Sequence, residues 1–204
     1  MVNRATTAFS DVDQLDPHGY YTYEDYMTWT FPERVELFRG TPYLLSPGPN
    51  RRHQTILTQL LGSMYFYFNH RGCSLFAAPF DVRLPVSLKP GRVDTVVQPD
   101  LCVVCDKNKL DKQGCDGAPD LVVEILSPGG SPREMREKFS LYEASGVREY
   151  WLVQPETESV IPYSLSDDGV FVGHQPRTAQ DTLVSLAFPD LSVELRPVFV
   201  YEGE

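Results

Sequence analysis

The sequence predicts an α/β chain built around a strand–helix–strand crossover, and three observations support that class. The run Leu121-Val122-Val123-Glu124-Ile125-Leu126 is apolar at every position but one, the pattern of a central strand covered on both faces. Ser131 and Pro132 then open a helix that Gly146 closes, with Glu134 placed to complete a capping box. A second apolar strand follows over residues 147–153, with Tyr150 and Trp151 in it. Such a unit is expected to be right-handed.

The length of 204 residues fits one domain. Hydrophobic residues make up 42% and aromatic residues 12%, which excludes a wholly disordered chain. Lysine and arginine number 18 against 28 acids, so the formal charge is −10. That balance excludes general electrostatic coating of nucleic acid. It leaves room for a nuclease, whose metal site needs carboxylates. No run approaches the ~20 apolar residues that span a membrane, and residues 1–7 lack the apolar stretch of a signal peptide. A cytoplasmic protein without membrane partners is expected, with Cys73, Cys102, Cys105 and Cys115 reduced.

The elements follow in order. Residues 1–19, with Asp11, Asp13, Asp16, Pro17 and Gly19 and no periodicity, are read as a flexible lead-in to a single domain over 20–204. A short helix is expected between Tyr23 and Trp29, ended by Pro32. Strands around Val35 and Tyr43 flank Arg39-Gly40-Thr41-Pro42 as a hairpin. Ile56, Leu57, Leu60, Leu61, Met64, Tyr65 and Phe68 recur at spacings of three and four, the stripe of a long helix between Pro49 and Gly72. Strands are expected over 75–78 and 80–84; in the second, Phe80, Val82 and Leu84 face the core while Asp81 and Arg83 face a wetter side. Residues 96–104 form a strand interrupted at Gln98-Pro99, and 106–117 a surface loop. Beyond Val153 short strands and turns serve either as a dimer interface or as a cap on the sheet.

Two residues break the hydrophobic logic of their elements. Glu124 stands mid-strand among aliphatic neighbours, where an ionised carboxylate is costly unless paired or metal-bound. Lys138 shares a helix face with Met135, Phe139 and Tyr142, so it either snorkels to water or meets a carboxylate. Both lie in one crossover unit, and a buried Glu–Lys pair holding helix to sheet accounts for them equally simply. Asp100 adds a second carboxylate, entering the next apolar strand after Pro99. Two carboxylates side by side suit Mg²⁺, which keeps few protein ligands, and a cation so held activates water and stabilises a phosphoryl group. Among weaker candidates, Asp81 is either a further ligand or the solvent side of its strand. His53 lies on the helix stripe, as a core histidine or a catalytic one. Gly129-Gly130-Ser131 could hold a phosphate through its N–H groups or simply cap the helix. Cys102 and Cys105 resemble half a zinc site, but alternate faces of a strand separate them.

Taken together, Pro99-Asp100, Glu124 within its strand, Ser127-Pro128, Lys138, Tyr142 and Gly146-Val147-Arg148-Glu149-Tyr150-Trp151 resemble the widespread bacterial restriction-endonuclease-like family of the PD-(D/E)XK nuclease superfamily. Glu36 with Gly40, His53 and Asp81 also resemble its pattern. The resemblance implies a restriction-endonuclease-like mixed central sheet flanked by helices, here with an added β-rich C-terminal segment. It implies a DNA phosphodiesterase using Mg²⁺ or Mn²⁺. Asp100 and Glu124 would be metal ligands, Glu36 and Lys138 further catalytic residues, and His53 and Asp81 supporting ones, in a homodimer. The superfamily's lysine two places after the acidic residue is replaced by Leu126, so Lys138 would supply the amine from the helix. The same replacement keeps open an inactive, nuclease-derived binding module.

Overall fold

The computed structural model describes residues 8–45, 50–128 and 131–200. The lead-in from residue 8 makes a capped turn at Val12–Gln14 and is tied to the body: the Thr30 N–H donates to the Phe9 carbonyl at 2.9 Å, and the Asp16 N–H to the Tyr21 hydroxyl at 3.0 Å. Helix α1 (Tyr23–Tyr26) starts with a capping box between Thr22 and Asp25. Strands β1 (Val35–Phe38) and β2 (Thr41–Leu44) pair antiparallel around Arg39 and Gly40, both at positive φ, so the hairpin turn needs only two residues.

Helix α2 (Arg51–Phe68) is capped by the Asn50 side chain and buries His53, Ile56, Leu57, Leu60, Met64 and Phe68. Strands β3 (Ser74–Ala77), β4 (Val82–Arg83), β5 (Val96–Val97), β6 (Leu101–Val104), β7 (Cys115–Asp116) and β8 (Leu121–Ile125) follow. Helix α3 (Pro132–Ser145) begins where Ser131 Oγ accepts from the Arg133 N–H, one residue short of the expected Glu134 partner. It ends at Gly146, left-handed at φ 88°, a conformation a side chain would resist. Then come β9 (Glu149–Gln154), β10 (Ser159–Leu165), β11 (Phe171–Gly173), β12 (Arg177–Thr178), β13 (Thr182–Val184), β14 (Ser192–Glu194) and α4 (Arg196–Phe199).

The larger sheet runs β11-β10-β9-β8-β6-β3, with β12 also on β10. It is mixed: β8 lies parallel to β9 across the α3 crossover and antiparallel to β6. A smaller sheet, β2-β1-β5-β4-β7, packs beside it. Alternation along β6, β8 and β9 divides the core. Leu101, Val103, Leu121, Val123, Ile125, Trp151 and Val153 meet α2 and the C-terminal segment. Cys102, Val104, Val122, Tyr150 and Leu152 meet α3 and the smaller sheet.

The segment after Val153 caps the sheet. Leu183, Leu191, Val193, Leu195, Val198 and Phe199 join the α2 side of the core. Glu149, fully buried, fastens it by accepting from Trp151 Nε1 (2.6 Å), Ser185 Oγ (2.5 Å) and the N–H groups of Leu186 and Ala187. Glu149→Ala leaves the buried Trp151 and Ser185 donors unpaired, and should cost about 3–5 kcal/mol of stability in denaturant unfolding.

Two expectations are corrected. Cys73 and Cys105 are joined as a disulfide, while Cys102 and Cys115 stay free and buried. Ser74 pairs with Val104 across β3 and β6, so the two bridged cysteines stand one step further out on opposed strands, a neighbourhood invisible in spacing. Arg83 does not face water: it is buried, its guanidinium 2.7 Å from the Asp111 carboxylate, because the 106–117 loop folds back and lays β7 beside β4. Among the described residues no helix is long and apolar enough to cross a membrane.

Candidate active site

The antiparallel register of β6 and β8 sets Leu101 opposite Val123, so Asp100 and Glu124, one step further on each strand, face one another at the end of the pair. Asp100 is fixed through one oxygen. Its Oδ2 accepts from the Ile125 N–H at 2.7 Å and lies 3.2 Å from His53 Nε2, a contact that requires the proton on that nitrogen. His53 reaches it from the first turn of α2, where its own N–H donates to the Asn50 cap.

Glu124 lies on the α3 side of the sheet, in phase with Val122. Its Oε1 accepts from the Tyr142 hydroxyl at 2.6 Å and from Lys138 Nζ at 3.1 Å. Lys138 and Tyr142 are one helical turn apart, so both reach the same oxygen. The ammonium also sits 3.0 Å from Glu36 Oε1, and Glu36 in turn accepts from the Gln98 N–H at 2.6 Å. A single lysine thus stands between a strand of each sheet.

Burial pushes the Glu124 carboxyl up to about 7; the negative charges of Asp100 and Glu36 add to the rise, and Lys138 opposes it. Burial also raises Glu36. For Lys138, burial works downward, yet the charges of Glu124 and Glu36 outweigh it and hold the ammonium above its ordinary value. His53 follows the same pattern: burial would lower it, and the bond and charge of Asp100 raise it instead.

The open oxygens fit a hard cation. Among the described residues no hydrogen bond reaches Asp100 Oδ1 or Glu124 Oε2, and these side chains keep 18% and 13% exposure. No three His, Cys, Asp or Glu side chains among the described residues are grouped to cage a metal. The donors are therefore two carboxylates with room for water, a set that Mg²⁺ or Mn²⁺ accepts.

The geometry brings Glu36, His53, Asp100, Glu124 and Lys138 together. Asp81 stands one residue away: its Oδ1 accepts from Gln98 Nε2 (2.8 Å) and the Tyr26 hydroxyl (3.2 Å). Glu36 is fully buried and meets Lys138 rather than the open oxygens. The phosphate turn expected at Gly129-Gly130-Ser131 involves two glycines outside the described residues. Gln98 was not singled out by sequence. It binds Glu36 through its backbone and Asp81 through its side chain, and its position before Pro99-Asp100 was the only available signal.

Residues 23–196 match the model of the family described as "Uma2: Putative restriction endonuclease". An uncharacterized protein of Synechocystis sp. is 25% identical over 149 residues, which is 72% of this chain and 75% of the other. The crystal structure of a protein from Anabaena variabilis described as a "putative nuclease" superposes with a TM-score of 0.66 at 18% identity, over 88% of this chain and 97% of that one. The restriction-endonuclease-like fold expected from sequence is therefore shared with that structure.

Proposed function

The chain belongs to the Uma2 family of restriction-endonuclease-like proteins, and on that premise we propose that it hydrolyses phosphodiester bonds of DNA with Mg²⁺ or Mn²⁺ at the Asp100–Glu124 pair. The observation that supports this most is the registered pair of carboxylates, each with an open oxygen, against the Lys138 ammonium. Asp100 and Glu124 would hold the cation. A divalent ion there supplies Lewis acidity toward a phosphoryl oxygen and the attacking water.

The chain's own groups divide the remaining work. The Ile125 N–H and His53 hold Asp100 Oδ2, which leaves Oδ1 for the cation. The Tyr142 hydroxyl and Lys138 do the same for Glu124 Oε1. Because its environment keeps Lys138 protonated, it acts as a fixed positive charge for the developing phosphate charge and does not accept the proton of the water. Glu36, held by the Gln98 N–H, keeps the ammonium in place.

One observation favours a second reading, an inactive nuclease-derived binding module. Lys138 already bridges Glu36 and Glu124, and Leu126 occupies the superfamily's lysine position. Incubation of the pure protein with single- and double-stranded DNA and Mg²⁺ or Mn²⁺, beside Glu124→Ala, decides between them. Cutting by the wild type alone is expected. Absence of cutting, or equal cutting by the variant, together with no Mg²⁺ uptake in calorimetry, would favour the module.

A further inference from the structure

A cleft of about 360 Å³ opens two residues along the chain from the carboxylate pair, lined by Tyr26, Phe80, Asp81, Gln98, Lys112 and Gln113 among others. Gln98 belongs to both places: its N–H donates to Glu36, and its side chain donates to Asp81 inside the cleft. Only Pro99 separates it from Asp100, so cleft and pair lie within about 7 Å of chain, roughly the reach of one nucleotide.

The cleft is held by ring stacking and backbone hydrogen bonding. Phe80 is stacked in parallel on Phe76, with centroids 4.0 Å apart. The loop before β7 supplies further lining through Lys112, Gln113 and Gly114. There the Cys115 N–H donates to the Asp81 carbonyl at 2.9 Å, and Gly114 has φ 143°. A Cβ on Gly114 would overlap that carbonyl oxygen, so only glycine lets the loop close on β4. The volume accommodates a nucleobase, and an aromatic wall with amide and carboxylate groups is what an unstacked base requires.

The polar groups set a preference. Gln98 Nε2 and the Tyr26 hydroxyl both donate to Asp81 Oδ1, and Gln98 Oε1 accepts from Arg34. Asp81 Oδ2 takes no hydrogen bond from the described residues. A carboxylate oxygen accepts only, so it selects a donor on the ligand. Cytosine, adenine and guanine offer an exocyclic amine, whereas thymine flanks its one N–H with two carbonyl oxygens. The acids also repel a phosphate from the interior, and exposed Lys112 at the rim suits one outside. Of the other lysines in that loop, Lys109 is occupied by the Ala118 carbonyl and Lys107 lies at a different surface pocket.

We propose that this cleft takes an unstacked base of the DNA strand, one nucleotide from the bond cut at the Asp100–Glu124 pair, and favours bases bearing an exocyclic amine. The assignment rests on the phosphodiesterase reading for its substrate, but the cleft can be probed without cleavage. In calorimetry on the full chain, the deoxynucleoside monophosphates of adenine, cytosine and guanine should bind roughly five- to tenfold more tightly than thymidine monophosphate. Asp81→Asn should level the four. Phe80→Ala should weaken all four by about tenfold, and serves alone if Asp81→Asn fails to fold.

In a second arm, cuts in single-stranded oligonucleotides with Mn²⁺ are mapped. Bias toward sites beside A, C or G, lost in Asp81→Asn, supports the proposal. Equal binding of all four nucleotides, or no binding, overturns it even if DNA is cut. A nucleotide preference with unbiased cutting overturns the substrate-base assignment in favour of a free nucleotide. The preference with no cutting of any DNA supports the cleft as a base site and sinks the phosphodiesterase reading instead.

Discussion

Lys138→Met should lower stability at pH 8 by about 3–5 kcal/mol, because it removes the cation that bridges the buried Glu36 and the largely buried Glu124 while keeping most of the side-chain bulk. Denaturant unfolding across pH measures it. Glu36 and Glu124 both have folded-state values raised above the unfolded range by burial. A raised group contributes its full stability below its unfolded pKa and loses it as pH rises through the folded pKa. Without the ammonium both values rise further, so the deficit of the variant should be small near pH 4 and grow steadily toward pH 8. A loss independent of pH would mean that packing, not charge, is what Lys138 provides. Adding Glu36→Gln to Lys138→Met should recover part of the loss, since one buried charge is then gone.

The second large effect concerns the cation. Glu124→Ala or Asp100→Ala should reduce cleavage roughly a thousandfold, the scale of losing a preorganised group aimed at developing charge. The wild type should show a signature of its own. With Glu124 pushed up to about 7, a proton competes with the cation below that pH. The apparent affinity for Mg²⁺ should therefore fall by up to about tenfold per pH unit below 7 and level off above it. Binding at pH 6 should release close to one proton, seen as a heat that differs between buffers of unlike ionisation enthalpy. An affinity that stays flat from pH 5.5 to 8 would remove Glu124 from the cation's ligands.

What could be seen in advance depended on how each residue departs from its neighbours. Glu124 and Lys138 were legible because each is charged at a position whose period requires an apolar side chain. The crossover unit then placed them together, and they meet at 3.1 Å. Asp100 was legible because it opens an apolar strand. Glu36 carries no such mark in the sequence, because alternation in the short run Val35-Glu36-Leu37-Phe38 allows it a solvent side; that β1 is buried at all four positions emerges only from the fold, and the family resemblance alone draws attention to it. Arg83 departs from its expected side because alternation describes one strand, whereas its burial depends on a loop returning from 28 residues away to provide Asp111. The Cys73–Cys105 bridge depends likewise on strand register, which no spacing encodes. Gln98 reaches Glu36 through its backbone N–H, a group every residue but proline possesses.

The residues gathered around the carboxylate pair come from positions 36, 53, 98, 100, 124 and 138, on two sheets, two helices and the link between β5 and β6. No contiguous stretch of the chain holds them, and the Lys138 bridge joins a strand of one sheet to a strand of the other. A nascent or clipped chain that lacks α3 has the first carboxylates but neither Glu124's amine partner nor Tyr142. On the phosphodiesterase reading, cutting should therefore require the complete fold, and a chain clipped before α3 should cut no DNA under conditions in which the whole chain does.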